Sequence, residues 1–144
     1  MNDTRLIAVG KPDGGCALLF PAPGCGLTLE QIAEKDVPAG LLWRIVAPAE
    51  LPGADEDFFD AWTYDAGTGK VGVDLARARE VTKARLRRER EPLLAALDVQ
   101  FMRALEAGQD TRAIAAEKQR LRDVPQLVDK PATLAELRAL RAAA

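Results

Sequence analysis

The sequence predicts an α+β fold, with a small β-rich N-terminal head over residues 1–73 and a helical part over residues 74–144. Glycine, proline and aromatic residues concentrate in the head, whereas alanine, leucine, arginine and glutamate, which favour helices, dominate the second half. The formal net charge also changes sign at this boundary, from about −6 in the head to about +4 in the helical part. We therefore predict two parts, the second an antiparallel helical hairpin followed by a short last helix.

The head contains two predicted β-hairpins, each made of two short apolar stretches on either side of a glycine-containing turn. The turn of the second hairpin, Gly67-Thr68-Gly69-Lys70, superficially resembles a phosphate-binding loop, but it lacks the first glycine and a Ser or Thr after the lysine. We interpret it as a hairpin turn. The four predicted strands cover residues 6–9 and 16–20 in the first hairpin and residues 61–65 and 70–74 in the second.

A short helix and a third strand are predicted between the hairpins. Thr28, followed three residues later by Gln31, is a capping-box pattern that opens a helix over Leu29–Lys35. Residues 41–46 are nearly all apolar, which predicts a strand buried on both faces. The connection at 48–60 is predicted to be exposed and anchored by buried aromatic side chains, namely Phe58, Phe59 and Trp62.

The second half begins with a long amphipathic helix. Apolar residues recur every three or four positions from Leu75 to Leu105. Pro92 lies inside this pattern, so we expect a kink or a break into two helices there. Gly108 is the predicted C-cap.

A second helix, beginning at an N-cap of Asp110 or Thr111, is predicted to run back to Asp123 and complete the hairpin. Pro125 is expected to end it. A last short helix follows Thr133, and we expect the alanine-rich end of the chain to fray.

Composition argues against several kinds of chemistry. The chain has no histidine, the commonest general base and transition-metal ligand. Cys16 and Cys25 are interpreted as reduced structural thiols, because the N-terminus shows no secretory signal. The acidic cluster at 55–60 lacks the ligand spacing of a calcium loop. We expect no enzymatic activity, no cofactor, no metal site and no membrane span.

A basic concentration lies on the first turns of the long helix. Helical spacing spreads these cations around much of the cylinder, and glutamates interrupt them. We favour a solvated or protein-facing helix over nucleic-acid binding. The cations are Arg77, Arg79, Lys83, Arg85, Arg87, Arg88 and Arg90.

Apolar residues on the hairpin exceed what two helices bury against each other. A two-helix hairpin buries one stripe well, so the surplus is expected to pack on the head, on a second copy or on another protein. The candidate partner-binding residues on the long helix are Leu93, Leu97, Phe101, Met102 and Leu105.

Several stretches resemble known phage proteins. Residues 32–40, 43–46, 51–52 and 58–62 resemble a pattern in small proteins of tailed phages and prophages. The helical stretches at 76–80, 97–106 and 118–125 resemble the C-terminal region of phage tail assembly chaperones and tail-fibre assembly proteins.

The resemblance implies a phage tail-associated accessory protein in the cytoplasm of the bacterial host that binds a tail or tail-fibre protein. It also marks Leu121, Arg122 and Asp123 as client contacts. Two alternatives remain open: a permanent virion tail component or fibre adaptor, and a small nucleic-acid-binding regulator using residues 77–90.

Overall fold

The computed structural model describes residues 4–143 and confirms the α+β fold. Two compact units are distinguished, one ending at Arg77 and the other starting at Ala78. The division falls four residues after the boundary that composition indicates, inside the first turn of the long helix. Each unit has its own set of buried residues.

The first unit contains a three-stranded antiparallel sheet and a separate two-stranded hairpin. The sheet has the order β2-β1-β3, and the hairpin pairs β4 with β5. Both predicted hairpins are confirmed. The strands are β1 (Leu6–Gly10), β2 (Cys16–Leu19), β3 (Trp43–Val46), β4 (Trp62–Tyr64) and β5 (Val71–Val73).

The central strand β1 is the one buried on both faces. Leu6 and Ala8 belong to a cluster with side chains of the β4–β5 hairpin, whereas Ile7 and Val9 pack with helix α1 (Leu29–Asp36). The expectation that residues 41–46 are buried on both faces is wrong, because Leu42 is 51% exposed and only Val46 is fully buried. Strand β3 pairs with β1 alone and forms an edge of the sheet.

Local capping signals in the first unit are confirmed. The Thr28 Oγ1 accepts a hydrogen bond from the Gln31 N–H at 3.2 Å, and the Gln31 Oε1 accepts one from the Thr28 N–H at 2.8 Å. These two bonds satisfy donors that would otherwise lack a partner in the first turn of α1.

The connection between β3 and β4 forms two short 3-10 segments, Pro48–Glu50 and Gly53–Ala61. Phe58 and Trp62 are buried, as predicted. Phe59 is 37% exposed and lies with its ring centroid 5.0 Å from that of Trp62, so its predicted burial is wrong. Trp62 already fills the adjacent core position, and Phe59 covers its outer side.

Helix α2 (Leu75–Glu106) is continuous, and Pro92 does not divide it. The Asp74 carboxylate caps its start by accepting from the Arg77 N–H at 2.9 Å. Buried side chains occur before and after the proline, among them Leu86 and Ala104. Packing on both sides of Pro92 therefore outweighs the loss of one backbone hydrogen bond.

Helix α2 ends at the predicted glycine. Gly108 has a φ of +66°, and the N–H of Gln109 donates to the Ala104 carbonyl at 2.8 Å. Together with the bond from the Gly108 N–H to the Leu105 carbonyl, this is a Schellman C-cap.

Helix α3 (Arg112–Asp123) runs antiparallel to α2. Lys118 bonds Asp98 at 2.7 Å, and Arg90, earlier in α2, donates to the carbonyl of Arg122, later in α3, at 2.7 Å. The predicted hairpin is present. Of the two proposed N-cap residues, Thr111 makes no side-chain cap bond, whereas the Asp110 carboxylate accepts from an α3 backbone N–H.

The chain after α3 continues as a 3-10 segment, Val124–Asp129, that includes Pro125, and then as helix α4 (Leu134–Ala139). The Thr133 hydroxyl caps α4 by accepting from the Glu136 N–H, as the sequence predicts. The expected fraying does not extend to Ala142, which is fully buried. Ala144 lies outside the described residues.

Candidate functional site

Most of the arginines concentrated on α2 bond to backbone carbonyls or acidic side chains within their own unit. Arg79 and Arg85 each donate to a carbonyl 52 residues further along the chain, and Arg90 donates to one 32 residues away. Arg120 of α3 donates to the backbone carbonyl of Ala142 at 3.1 Å. Arg79, Arg85 and Arg120 clamp the C-terminal segment onto the hairpin. Arg90 instead joins α2 to the end of α3, and periodicity alone reveals neither role.

Glu89 completes this clamp. One carboxylate oxygen accepts from the backbone N–H of Ala142 at 2.9 Å, and the other accepts from Arg85 at 2.6 Å. The hydrogen bond from Ala142 and the guanidinium of Arg85 hold the pKa of Glu89 below its usual value. Glu89 is therefore ionised at neutral pH.

Three of the predicted partner-binding residues line one groove on the hairpin. Leu93 and Leu97 are half-buried on α2, and Leu121, only 1% exposed, faces them from α3. The groove has a volume of about 250 Å³, and its remaining lining consists of Ala96, Gln100, Ala143 and the ion-paired Glu117 and Arg120. We call it the apolar groove.

Phe101 is engaged within the hairpin. The ammonium of Lys118 lies 5.1 Å above the centre of the Phe101 ring, a cation–π distance, and is held there by Asp98. Both groups join α2 to α3. The structure therefore gives Phe101 a part in holding the hairpin together.

Met102 and Leu105 lie on the surface near the hairpin tip. Their exposed fractions are 53% and 57%, and Val99, at 49%, lies one turn before Met102. The spacing of three residues places the three side chains along one side of the helix. We call them the apolar tip; sequence reasoning missed Val99, since its position does not fit the main apolar stripe of α2.

The three residues at the end of α3 do not form one patch. Leu121 is buried, Asp123 is exposed and accepts from the Gln119 amide at 3.1 Å, and the exposed Arg122 lines a second groove among basic residues. Of these three predicted client contacts, Arg122 and Asp123 are accessible.

A third depression lies in the first unit. It has a volume of about 720 Å³ and is lined by Arg5 and by the loop at residues 21–30. The loop carries the exposed thiol of Cys25, whereas Cys16 is buried in the sheet. Burial raises the pKa of the Cys16 thiol.

Within residues 4–143, no group of three or more acidic or cysteine side chains is arranged to hold a metal ion. The acidic residues at 55–60 lie along the 3-10 segment before β4. In the same part of the chain, no helix is both long and apolar enough to cross a membrane.

The fold and its surfaces define an α+β protein whose second unit is a clamped helical hairpin with an uncovered apolar tip. No family model, no curated protein and no solved structure matches this chain.

Proposed function

We propose that this chain is a tail-associated accessory protein of a tailed phage or prophage. It acts without catalysis, as an assembly chaperone that binds a structural tail or tail-fibre protein. The resemblance of the helical stretches to tail assembly chaperones supplies the phage context. The observation that carries a binding role is the apolar tip, Val99, Met102 and Leu105, about half exposed on the outside of the hairpin.

The exposure of the tip is not required by the fold. Buried side chains of the second unit, such as Leu86 and Leu137, already form its core, and both have no exposed surface. Leaving large apolar side chains in water costs about 25 cal/mol for each Å². A partner that covers the tip recovers this free energy.

The chemistry of the tip suits a partner chain with an apolar segment. Methionine is flexible and adapts to irregular apolar surfaces, which favours binding of a client before it reaches its final conformation. The charged Arg103 and Glu106 lie beside the tip on the same helix and are exposed. They provide a polar rim around an apolar centre, the usual arrangement of an interface.

The test is co-expression of the full chain with the tail and tail-fibre proteins encoded beside its own gene. We expect one of these proteins to co-purify with the wild type. The double substitution Met102→Ser and Leu105→Ser should lower its recovery by about tenfold or more. Leu127→Ser is the matched control, because Leu127 is 42% exposed in the same unit but lies outside the hairpin.

Failure of every neighbouring tail protein to co-purify contradicts the proposal, as does equal recovery with the double variant and the wild type. Mass spectrometry of purified virions separates a transient chaperone, which is absent from them, from a permanent tail component. Light scattering on the isolated chain shows whether a second copy covers the tip instead.

A further inference from the structure

We infer that the second unit contains a binding site for a compact phosphate group, separate from the apolar tip. The site is a groove of about 270 Å³ on the hairpin and the 3-10 segment that follows it. We call it the basic groove. Its charged and polar lining consists of Lys83, Arg87, Arg90, Arg122, Gln126 and Asp129.

The tertiary structure assembles this cationic cluster. Lys83, Arg87 and Arg90 follow one another at intervals of four and three residues, which places them on one side of α2. Arg122 joins them from α3. Four cations therefore line the groove with one carboxylate, that of Asp129, so the lining residues alone carry an excess of three positive charges.

Two of the four cations form no ion pair in the part of the chain that the structure describes. Arg87 and Arg122 are exposed, and neither side chain forms an ion pair or a hydrogen bond with another residue of 4–143. By contrast, Arg79, Arg85 and Arg120 all have partners. An anion in the groove would supply the partner that both guanidinium groups lack.

The remaining two cations are partly held in position. Arg90 donates to the Arg122 carbonyl at 2.7 Å, and Lys83 lies 3.3 Å from the carboxylate of Glu80. Glu80 is 69% exposed, so its ion pair is weak and leaves Lys83 available to a ligand. Because the Arg122 carbonyl already holds the guanidinium of Arg90 in position, this side chain loses little conformational entropy when it binds an anion.

The chemistry and size of the groove favour phosphate. Guanidinium groups bind phosphate oxygens through paired N–H donors, and an excess of three charges favours a multiply charged anion over a carboxylate. The volume of the basic groove, about 270 Å³, lies just below the range of about 300–1,000 Å³ that is typical of pockets for drug-sized ligands. We therefore assign a small ligand such as a phosphate or diphosphate group.

The test is a titration of the full chain with sodium pyrophosphate at constant ionic strength, followed by amide chemical shifts. We expect saturable shifts in residues 83–90 and 122–129. The double substitution Arg87→Gln and Arg122→Gln should weaken binding by about a hundredfold, since each arginine contributes a charge-assisted hydrogen bond. Neither side chain forms a hydrogen bond or an ion pair within residues 4–143, so the variant should remain folded.

Arg103→Gln is the matched control, because Arg103 is an exposed arginine on the same helix outside the groove. We expect it to leave pyrophosphate binding unchanged. An equal loss in the control and the groove variant would show general charge attraction and overturn the site. Absence of saturable shifts with the wild type would also overturn it.

A competition experiment identifies the source of the phosphate. If a single-stranded oligonucleotide displaces pyrophosphate, the groove takes the phosphates of a nucleic acid; if it does not, the groove takes a free small phosphate. The variant with Met102→Ser and Leu105→Ser should retain pyrophosphate binding. This result separates the basic groove from the proposed client surface.

Discussion

The carboxylate of Glu89 accepts a hydrogen bond from the backbone N–H of Ala142, 53 residues further along the chain, at 2.9 Å. The carbonyl of the same alanine accepts from Arg120 at 3.1 Å, and its methyl group is completely buried. The end of the described chain is therefore fixed through both of its polar backbone groups, by two oppositely charged side chains.

Replacing Glu89 with alanine should lower the free energy of unfolding by about 1–2 kcal/mol, because the buried Ala142 N–H and Arg85 both lose an acceptor. Urea denaturation at neutral pH measures the change. Glu80→Ala, which removes a carboxylate paired at the surface, should cost no more than about 0.5 kcal/mol. Equal costs in the two variants would contradict the proposed clamp.

The contribution of Glu89 should also depend on pH in a definite direction. Its pKa in the folded protein lies below the ordinary value of 4.5, so the ionised form stabilises the fold above that pH. The stabilisation is lost as the pH falls through the lower, folded-state pKa. In urea denaturation, the stability difference between wild type and Glu89→Gln should therefore shrink as the pH is lowered below 4.5, and a constant difference would contradict this assignment.

Removing residues 142–144 should destabilise the second unit. The truncation deletes a hydrogen bond to Glu89 that is worth about 1–2 kcal/mol. It also deletes a hydrogen bond to Arg120 and a buried methyl group. Thermal unfolding followed by circular dichroism measures the loss. Removal of Ala144 alone is the control, and an unchanged melting temperature in the longer truncation would support a frayed end.

Gly10→Ala should destabilise the first unit by about 1–3 kcal/mol, since a Cβ atom at position 10 would lie 2.7 Å from the Tyr64 ring. Tyr64 is only 9% exposed, and its ring has little room to move. Gly53→Ala is the control, because its Cβ would meet no atom within 4 Å. Chemical denaturation of the two variants should differ by at least about 1 kcal/mol.

Pro92→Ala should raise the free energy of unfolding by about 1–3 kcal/mol. Alanine restores the backbone donor that proline lacks, removes the clash of the ring with the preceding turn and favours helix at an exposed position. The reverse change at a nearby exposed site, Ala95→Pro, should lower stability by a comparable amount. Denaturation midpoints measure both changes, and a loss of stability in Pro92→Ala would show that α2 requires the proline.

The two thiols should react at very different rates. Cys25 is exposed, whereas Cys16 is 4% exposed and burial raises its pKa, which lowers its thiolate fraction at neutral pH. A colorimetric disulfide reagent should modify one thiol rapidly in the native protein and the second only on unfolding. Cys25→Ser should abolish the rapid phase, and rapid modification that persists in this variant would contradict the burial of Cys16.

Signals confined to a few residues made the local structure predictable. The Thr28 and Thr133 caps, the Gly108 C-cap and the two hairpin turns each depend on residues close in sequence, and all are present. The predicted break at Pro92 does not occur, because the cost of a proline, a few kcal/mol, is small against packing along the rest of the helix. The predicted burial of Phe59 was wrong because aromatic character alone does not indicate which of two neighbouring aromatic residues, Phe59 or Trp62, fills the core.

The sequence by itself determined the α+β class, the order of the elements and the excess of apolar residues on the hairpin, because periodicity and capping act over short distances. Tertiary structure alone decided which apolar residues remain exposed, where the α2 arginines donate, and that Arg122 joins Lys83 and Arg87 in one groove. Those contacts join residues more than thirty positions apart, and no local pattern encodes such pairings.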